Sequence, residues 1–136
     1  MVKDIEKECD KNPEEESCGL IVFINKRTKV VPCFNWADDR KQYFKIKTED
    51  YVRASKAGEV FGIYHSHVDV GAEFSEKDMM HSKELMVPYF VYSLRTRGHN
   101  VFFPNKLKKG TKSFLNFLNR IKRDFSVRNS KEKGDG

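Results

Sequence analysis

The feature that most constrains the fold is a continuous apolar run of seven residues, CGLIVFI, from Cys18 to Ile24. The run has the length of a β-strand, and it lacks the alternating polar residues of a strand with one face in water. We therefore predict a strand that is covered on both faces. Such a strand belongs in the interior of a sheet that carries other elements of structure on its two sides.

Periodic apolar positions and turn residues divide the rest of the chain into strands and helices. The predicted strands after the first run are residues 29–34, 43–47, 59–67, 89–94 and 100–104. The predicted helices are one that carries Val2, Ile5 and Cys9, one with Thr48 as N-cap and Gly58 as C-cap, and one from Ser75 to about Leu85. This order predicts a mixed α/β (α+β) domain in which helices pack on a central, partly antiparallel sheet.

The length of 136 residues suits one compact domain. Near the end of the chain, apolar residues recur at helical spacing: Phe114, Phe117, Leu118, Ile121 and Phe125. We predict an amphipathic helix. We expect it to pack on the domain and not to lie on a membrane surface, since the segment has no tryptophan and no second membrane anchor. The expected organisation is a single domain over residues 1–126 and a disordered basic tail over residues 127–136, which lacks the apolar content to form a core.

The formal net charge of +6 is unevenly distributed, because residues 1–18 are acidic and the basic excess lies in residues 95–136. Such a basic segment can attract an acidic partner or remain a solvated surface, and both alternatives stay open. No motif that combines aromatic and basic residues accompanies the charge, so we do not expect a nucleic-acid partner.

No apolar run approaches the roughly 20 residues that cross a bilayer, and the charged N-terminus does not resemble a signal peptide. We therefore expect a cytoplasmic protein without a membrane partner. The three cysteines, Cys9, Cys18 and Cys33, are odd in number and form no C-x-x-C pair. Buried free thiols are expected rather than disulfides or a structural cysteine–zinc site.

The side chains best suited to chemistry lie at the end of the predicted strand over residues 59–67. His65 and His67 project from the same face of that strand, because side chains alternate across a strand. Two imidazoles on one face can share a cation, and Asp78 can supply a third ligand after the intervening loop. The alternative is structural: Ser75 and Asp78 also fit a capping box at the start of a helix. The two interpretations can hold together, since a capped helix end is a rigid mount for a ligand.

A glutamate, an H-x-H pair, seven residues and then S-x-x-D form the signature of the JAMM (MPN-plus) zinc metalloprotease family, which this chain resembles. His65, His67, Ser75 and Asp78 have the spacing of that signature, and Glu16 precedes a Cys-Gly as the family's glutamate does. The segments CFNWADD and YFKIKTEDY also resemble prokaryotic members, so the resemblance covers residues 16–104. It is greatest for the branch that includes bacterial and phage tail-tip assembly proteins.

The resemblance implies a JAMM/MPN-like fold and a role for each matching residue. His65, His67 and Asp78 would bind Zn²⁺. Glu16 would act as general base toward the water that zinc activates, and Ser75 would donate a hydrogen bond to the developing oxyanion. The implied activity is hydrolysis of a peptide or isopeptide bond, in a ubiquitin-like protein or a phage tail protein. The mechanism is also chemically sound independently of the resemblance, since zinc lowers the pKa of a bound water molecule to about 7 and so provides hydroxide near neutral pH.

The alternative is a binding or scaffold module of the same fold without catalysis. The presence of all five signature positions argues against that alternative. The chain departs from prokaryotic members at Val68 and Phe74, where prolines are common, so we expect a less rigid loop between His67 and Ser75.

Overall fold

The structure, a computed structural model, describes residues 1–107, Asn119 and the backbone of residues 127–129. Its strands are β1 (Cys18–Ile24), β2 (Arg27–Cys33), β3 (Glu59–His67), β4 (Tyr89–Ser93), β5 (His99–Phe103) and β6 (Val127–Asn129). Its helices are α1 (Val2–Asp10), α2 (Thr48–Ala57) and α3 (Glu76–Leu85). In the described part of the chain these strands form one mixed sheet with the order β2-β1-β3-β4-β5-β6. The predicted mixed fold with a partly antiparallel sheet is therefore confirmed.

The register of the central strands determines which residues meet at the end of β3. β1 and β2 form an antiparallel hairpin whose two turn residues, Asn25 and Lys26, both have positive φ angles, as a tight hairpin turn requires. β3 pairs antiparallel with β1 and parallel with β4. The chain crosses from β3 to β4 through α3, so that the N-terminus of α3 lies near the end of β3.

Both faces of the sheet are covered, as the apolar run of β1 predicts. On one face, Ile21 packs with Ile5 and Cys9 of α1. On the other face, Leu20 and Val22 pack with residues from α2 and α3. The fold thus has helices on both sides of the sheet, and the side that carries α2 and α3 also carries the histidines.

Two local predictions are wrong. Residues 43–47 form no strand, because backbone groups of Tyr43 and Lys45 hydrogen bond with the side chain of Asn35 instead of with a neighbouring strand. Their apolar alternation has another cause, since Phe44 and Ile46 pack against the core. The N-cap of α2 is Lys47, without a side-chain cap bond, and Thr48 is the first residue of the helix.

The C-terminal predictions fall mostly outside the described residues. Of the amphipathic helix expected around Phe114 to Phe125, the structure describes Asn119 alone, which is helical and exposed. The structure differs from the expected disordered tail at Val127–Asn129, which form β6 and pair parallel with β5. Edge pairing uses main-chain groups, so it does not require an apolar segment. Among the described residues, no helix combines the length and apolar character that crossing a bilayer requires.

Candidate metal centre

His65 and His67 lie at the C-terminal end of β3 and point to the same side of the sheet. Their ring centroids are 5.1 Å apart. His65 is 1% exposed, whereas His67 is only partly buried. The alternation of a β-strand therefore produces the shared face that the H-x-H spacing predicts.

Asp78 reaches the histidines from the first turn of α3. Ser75 is the N-cap of this helix: its hydroxyl accepts a hydrogen bond from Asp78 N at 3.0 Å, and Ser75 N donates to Asp78 Oδ2 at 3.2 Å. The same Asp78 Oδ2 lies 3.3 Å from His65 Nε2. The capping box and the candidate ligand set therefore coexist, and the cap holds the carboxylate in place.

The three side chains could hold a metal ion. Their ligand atoms all lie within 4.8 Å of one another. Tetrahedral zinc with bonds of about 2.0–2.1 Å separates its ligand atoms by about 3.3 Å, which is the distance between His65 Nε2 and Asp78 Oδ2. Both ring nitrogens of His65 are buried and make no hydrogen bond with the described residues apart from the 3.3 Å contact of Nε2 with the Asp78 carboxylate. A buried imidazole with so few polar partners is costly unless a ligand occupies the site, so the donor set fits Zn²⁺.

The charge states of Asp78 and His67 also suit a cation. Burial would raise the pKa of Asp78, but its contact with His65 and its hydrogen bonds with Ser75 outweigh that effect and lower the pKa to about 2. Burial lowers the pKa of His67, and the neighbouring charge of His65 lowers it further. The fold thus favours an ionised carboxylate and a neutral imidazole at His67, which are the forms that bind metals.

Glu16 comes to this site through the pairing of β1 with β3. Cys18 is the register partner of His65. Just outside β1, Ser17 N donates to Ser66 Oγ, and Ser66 N donates to Ser17 O. Glu16 is therefore held beside the H-x-H segment although 49 positions separate the two in sequence.

The Glu16 carboxyl is only 6% exposed, and its burial raises its pKa to about 7. The charge of His65 lowers this pKa and the charge of Asp78 raises it, so all three side chains belong to one electrostatic environment. A carboxyl with a pKa near neutrality can both accept and release a proton. Of the residues singled out in the sequence, the structure brings together the three candidate ligands, Ser75 and Glu16.

The loop between His67 and α3 is held by side chains. His67 Nδ1 donates to Gly71 O at 2.8 Å, which leaves Nε2 as the nitrogen with a free lone pair. The neighbouring carbonyls of Asp69, Val70 and Ala72 also accept hydrogen bonds, from Arg95, Ser93 and Asn100. These bonds anchor residues 69–72, which lie between Val68 and Phe74 in the loop.

Two residues at the site have no signal in the sequence. Phe44 stacks on His65, with ring centroids 4.5 Å apart and an interplanar angle of 20°. Asn35, which is 6% exposed, hydrogen bonds to the backbone on both sides of Phe44 and to Glu16 O. They occur in segments that resemble prokaryotic members, but an asparagine and a phenylalanine have no spacing that identifies their contacts.

A groove of about 830 Å³ lies beside the site, between residues 37–48 and α3. Phe44 and Tyr89 line this groove, and both rings also contact the ring of His65. The other lining side chains include Tyr43, Ile46, Tyr51 and Leu85, with Lys45 and Lys77 among the charged ones. The groove can therefore accept an extended chain with both apolar and polar groups next to the candidate metal ligands.

Two solved structures of other proteins are similar to this fold. A solution structure of a protein from Desulfitobacterium hafniense has 21% sequence identity and a TM-score of 0.53, over 68% of this chain and 69% of that chain. A solution structure of a protein from Salinibacter ruber has 20% identity and a TM-score of 0.45, over 80% and 83% of the two chains. At 21% identity, the similarity to the Desulfitobacterium hafniense protein supports the fold but not an activity.

The comparison with family models is more specific. No curated protein matches the chain. The model for prokaryotic homologs of the JAB domain matches residues 1–105, a range that includes Glu16, the two histidines, Ser75 and Asp78. The chain therefore belongs to the family of prokaryotic homologs of the JAB domain.

Proposed function

We propose that this protein is a zinc-dependent hydrolase of peptide or isopeptide bonds. The observation that carries the proposal is the convergence of His65, His67 and Asp78 with the buried carboxyl of Glu16 beside them. The ligand cluster alone is compatible with a structural metal. A buried acid with a pKa of about 7 is a costly feature that a purely structural site does not need.

His65, His67 and Asp78 would hold the metal ion. Bound zinc would supply a Lewis acid that polarises the scissile carbonyl and makes water more acidic. Three protein ligands are the number found in catalytic zinc sites, which keep one position open.

Glu16 is proposed as the general base. Its carboxylate would accept the proton of the attacking water and then deliver it to the leaving amine. The backbone of Glu16 is fixed by hydrogen bonds on both sides, from its N–H to Arg40 O and from Asn35 Nδ2 to its carbonyl. A fixed base needs little reorganisation before proton transfer.

Ser75 is proposed to stabilise the oxyanion. Its oxygen accepts the cap bond from Asp78 N, and a hydroxyl that accepts one bond can still donate its own proton. Oxyanion donors typically contribute about 3–4 kcal/mol to the transition state.

The substrate we propose is an extended peptide segment that lies in the groove beside His65. Extended tails of ubiquitin-like proteins and segments of phage tail proteins fit this description. The apolar lining of Phe44, Ile46 and Leu85 would take apolar side chains near the cleaved bond.

Metal analysis and one conservative variant test the proposal. The purified protein should contain about one zinc ion per chain, and His67→Ala should lose it. Glu16→Gln should keep the zinc but lose at least about 100-fold in cleavage, because the amide cannot accept the proton. Cell or phage lysates incubated with the active protein, and with Glu16→Gln as the matched control, would be searched for new protein termini.

Two results would contradict the proposal. A protein that binds no zinc would remove its basis. A zinc-containing protein whose new termini are equally abundant with Glu16→Gln would indicate a binding or scaffold module instead.

A further inference from the structure

The geometry points to Phe44 and Asn35 as positioning residues. Phe44 orients the ligand His65 by stacking on its ring. Asn35 holds Phe44 and Glu16 at fixed positions relative to each other. This inference rests on the metal site of the proposed function and deepens it. According to this inference, residues 35–47, which form no helix or strand, align a metal ligand and the general base.

The two histidine ligands are oriented in different ways. A histidine that binds a metal usually donates its other ring N–H to a carbonyl or carboxylate, which fixes the ring. His67 follows this rule through its hydrogen bond to Gly71 O. For His65, Nε2 faces Asp78 of the candidate ligand set, and the described residues offer no such acceptor at the other ring nitrogen, Nδ1.

Aromatic packing takes the place of that hydrogen bond at His65. Phe44 is nearly parallel to the imidazole at 4.5 Å, while Tyr89 and Phe74 meet it at steep angles from 6.3 and 6.4 Å. A ring packed against one face and edges packed around the sides leave the imidazole one plane to occupy. Phe44 is the closest of the three, so it has the largest effect on that plane.

Phe44 in turn needs a support, because residues 43–47 belong to no strand. Asn35 provides it. Its Nδ2 donates to Tyr43 O at 2.9 Å, and its Oδ1 accepts from Lys45 N at 3.1 Å. The two backbone neighbours of Phe44 are thus bound to one buried side chain.

The same asparagine reaches the general base. Asn35 Nδ2 also donates to Glu16 O at 2.9 Å, and Oδ1 accepts from Ala37 N. Glu16 N donates to Arg40 O in the same segment at 2.7 Å. A shift of this segment would therefore move the stacked ring and the base together.

The first experiment measures Co²⁺ affinity of the whole protein by visible absorption, with Phe44→Leu compared with Phe44→Tyr. Leucine keeps an apolar side chain in the core but removes the flat ring, and tyrosine keeps the ring. Phe44→Leu should weaken Co²⁺ binding by about 10- to 100-fold, the usual cost of losing a group that orients a ligand. Phe44→Tyr should bind within about twofold of the wild type.

The second experiment tests Asn35→Ala by the same titration and by hydrogen exchange. This variant should also weaken Co²⁺ binding, and the amides of Glu16 and Lys45 should exchange faster. Ser82→Ala is the control, since Ser82 is a fully buried polar residue that donates to Val87 O at the end of α3. It should lose stability and keep the wild-type Co²⁺ affinity.

The outcomes separate this inference from the function on which it rests. A wild-type protein that does not bind Co²⁺ would overturn the metal site and the proposed function with it. If the wild type binds Co²⁺ and Phe44→Leu binds it equally tightly, the positioning role alone is overturned. Unchanged exchange of the Glu16 amide in Asn35→Ala would overturn the link between Asn35 and the general base.

Discussion

Glu16 combines two properties that rarely occur together, an almost complete burial and an ionisable carboxyl. Its pKa of about 7, against an ordinary value of 4.5, is caused chiefly by burial. The folded protein therefore holds a proton on Glu16 in a range of pH where the unfolded chain has lost it. The buried carboxyl beside the candidate metal ligands therefore lowers the stability of the folded protein at neutral pH.

The metal-free protein should accordingly become less stable as the pH rises from about 4.5 to 7. Since the folded state binds more protons there than the unfolded state, the free energy of unfolding falls with pH, by about 3 kcal/mol for this one group. His67, with its lowered pKa, has the opposite sign. The difference between the wild type and Glu16→Gln, measured by urea unfolding in a chelator, isolates the effect of Glu16.

Glu14→Gln is the control for this measurement, because Glu14 is an exposed carboxylate two residues away. It should leave the pH dependence unchanged. If the curves of Glu16→Gln and the wild type run parallel between pH 4.5 and 7, Glu16 is not the buried acid that the structure shows. Added zinc should flatten the wild-type curve, since a nearby cation favours the carboxylate.

At the scale of elements, the N-cap of α3 places Asp78, a candidate ligand, beside the histidines. The hydroxyl of Ser75 closes the first turn, and the carboxylate of Asp78 completes the capping box. The negative charge of Asp78 also lies at the positive end of the helix dipole. A short helix thus holds the Asp78 carboxylate at a fixed position relative to β3.

Ser75→Ala and Ser75→Asp should separate the cap from the proposed oxyanion donor. Alanine removes the bond from Asp78 N and should lower the free energy of unfolding by about 1 kcal/mol. Aspartate can cap the helix but, when ionised, it cannot donate a hydrogen bond. We expect Ser75→Asp to recover the stability in denaturant unfolding and to remain defective in cleavage, whereas full activity in this variant would exclude the donor role.

At the scale of the whole molecule, the candidate ligands tie together parts of the fold that are distant along the chain. His65 and His67 come from a central strand, and Asp78 comes from a helix on one face of the sheet. An ion that binds the folded state alone must therefore stabilise the entire domain.

Zinc should raise the melting temperature of the protein. At a free concentration about 100 times the dissociation constant, the gain in unfolding free energy is about 2.7 kcal/mol, or about 10 °C for a domain of this size. Scanning calorimetry with and without a chelator would measure it. His67→Ala should lose the shift and His81→Ala should keep it, since His81 is on α3 outside the ligand set. A wild-type melting curve that zinc does not move would contradict a metal centre of this kind.

The strands and helices of residues 1–107 were largely predictable, because each has a local cause. β1 is an unbroken apolar run, and α3 begins with the residues of a capping box. The strand predicted over residues 43–47 was wrong for an equally physical reason. Its alternation of apolar and polar residues is real, but a buried asparagine takes the hydrogen bonds that a neighbouring strand would need.

The sequence by itself indicated the candidate ligand set, since H-x-H on a strand and S-x-x-D at a helix start are local geometries with fixed side-chain directions, and their combination resembles a known signature. Only the tertiary structure decided that Glu16 is buried beside those ligands, that Phe44 stacks on His65, and that Asn35 joins the two. Those contacts connect residues far apart along the chain. Spacing along the chain carries no information about such contacts, because the folding of the sheet and the burial of its loops bring them about.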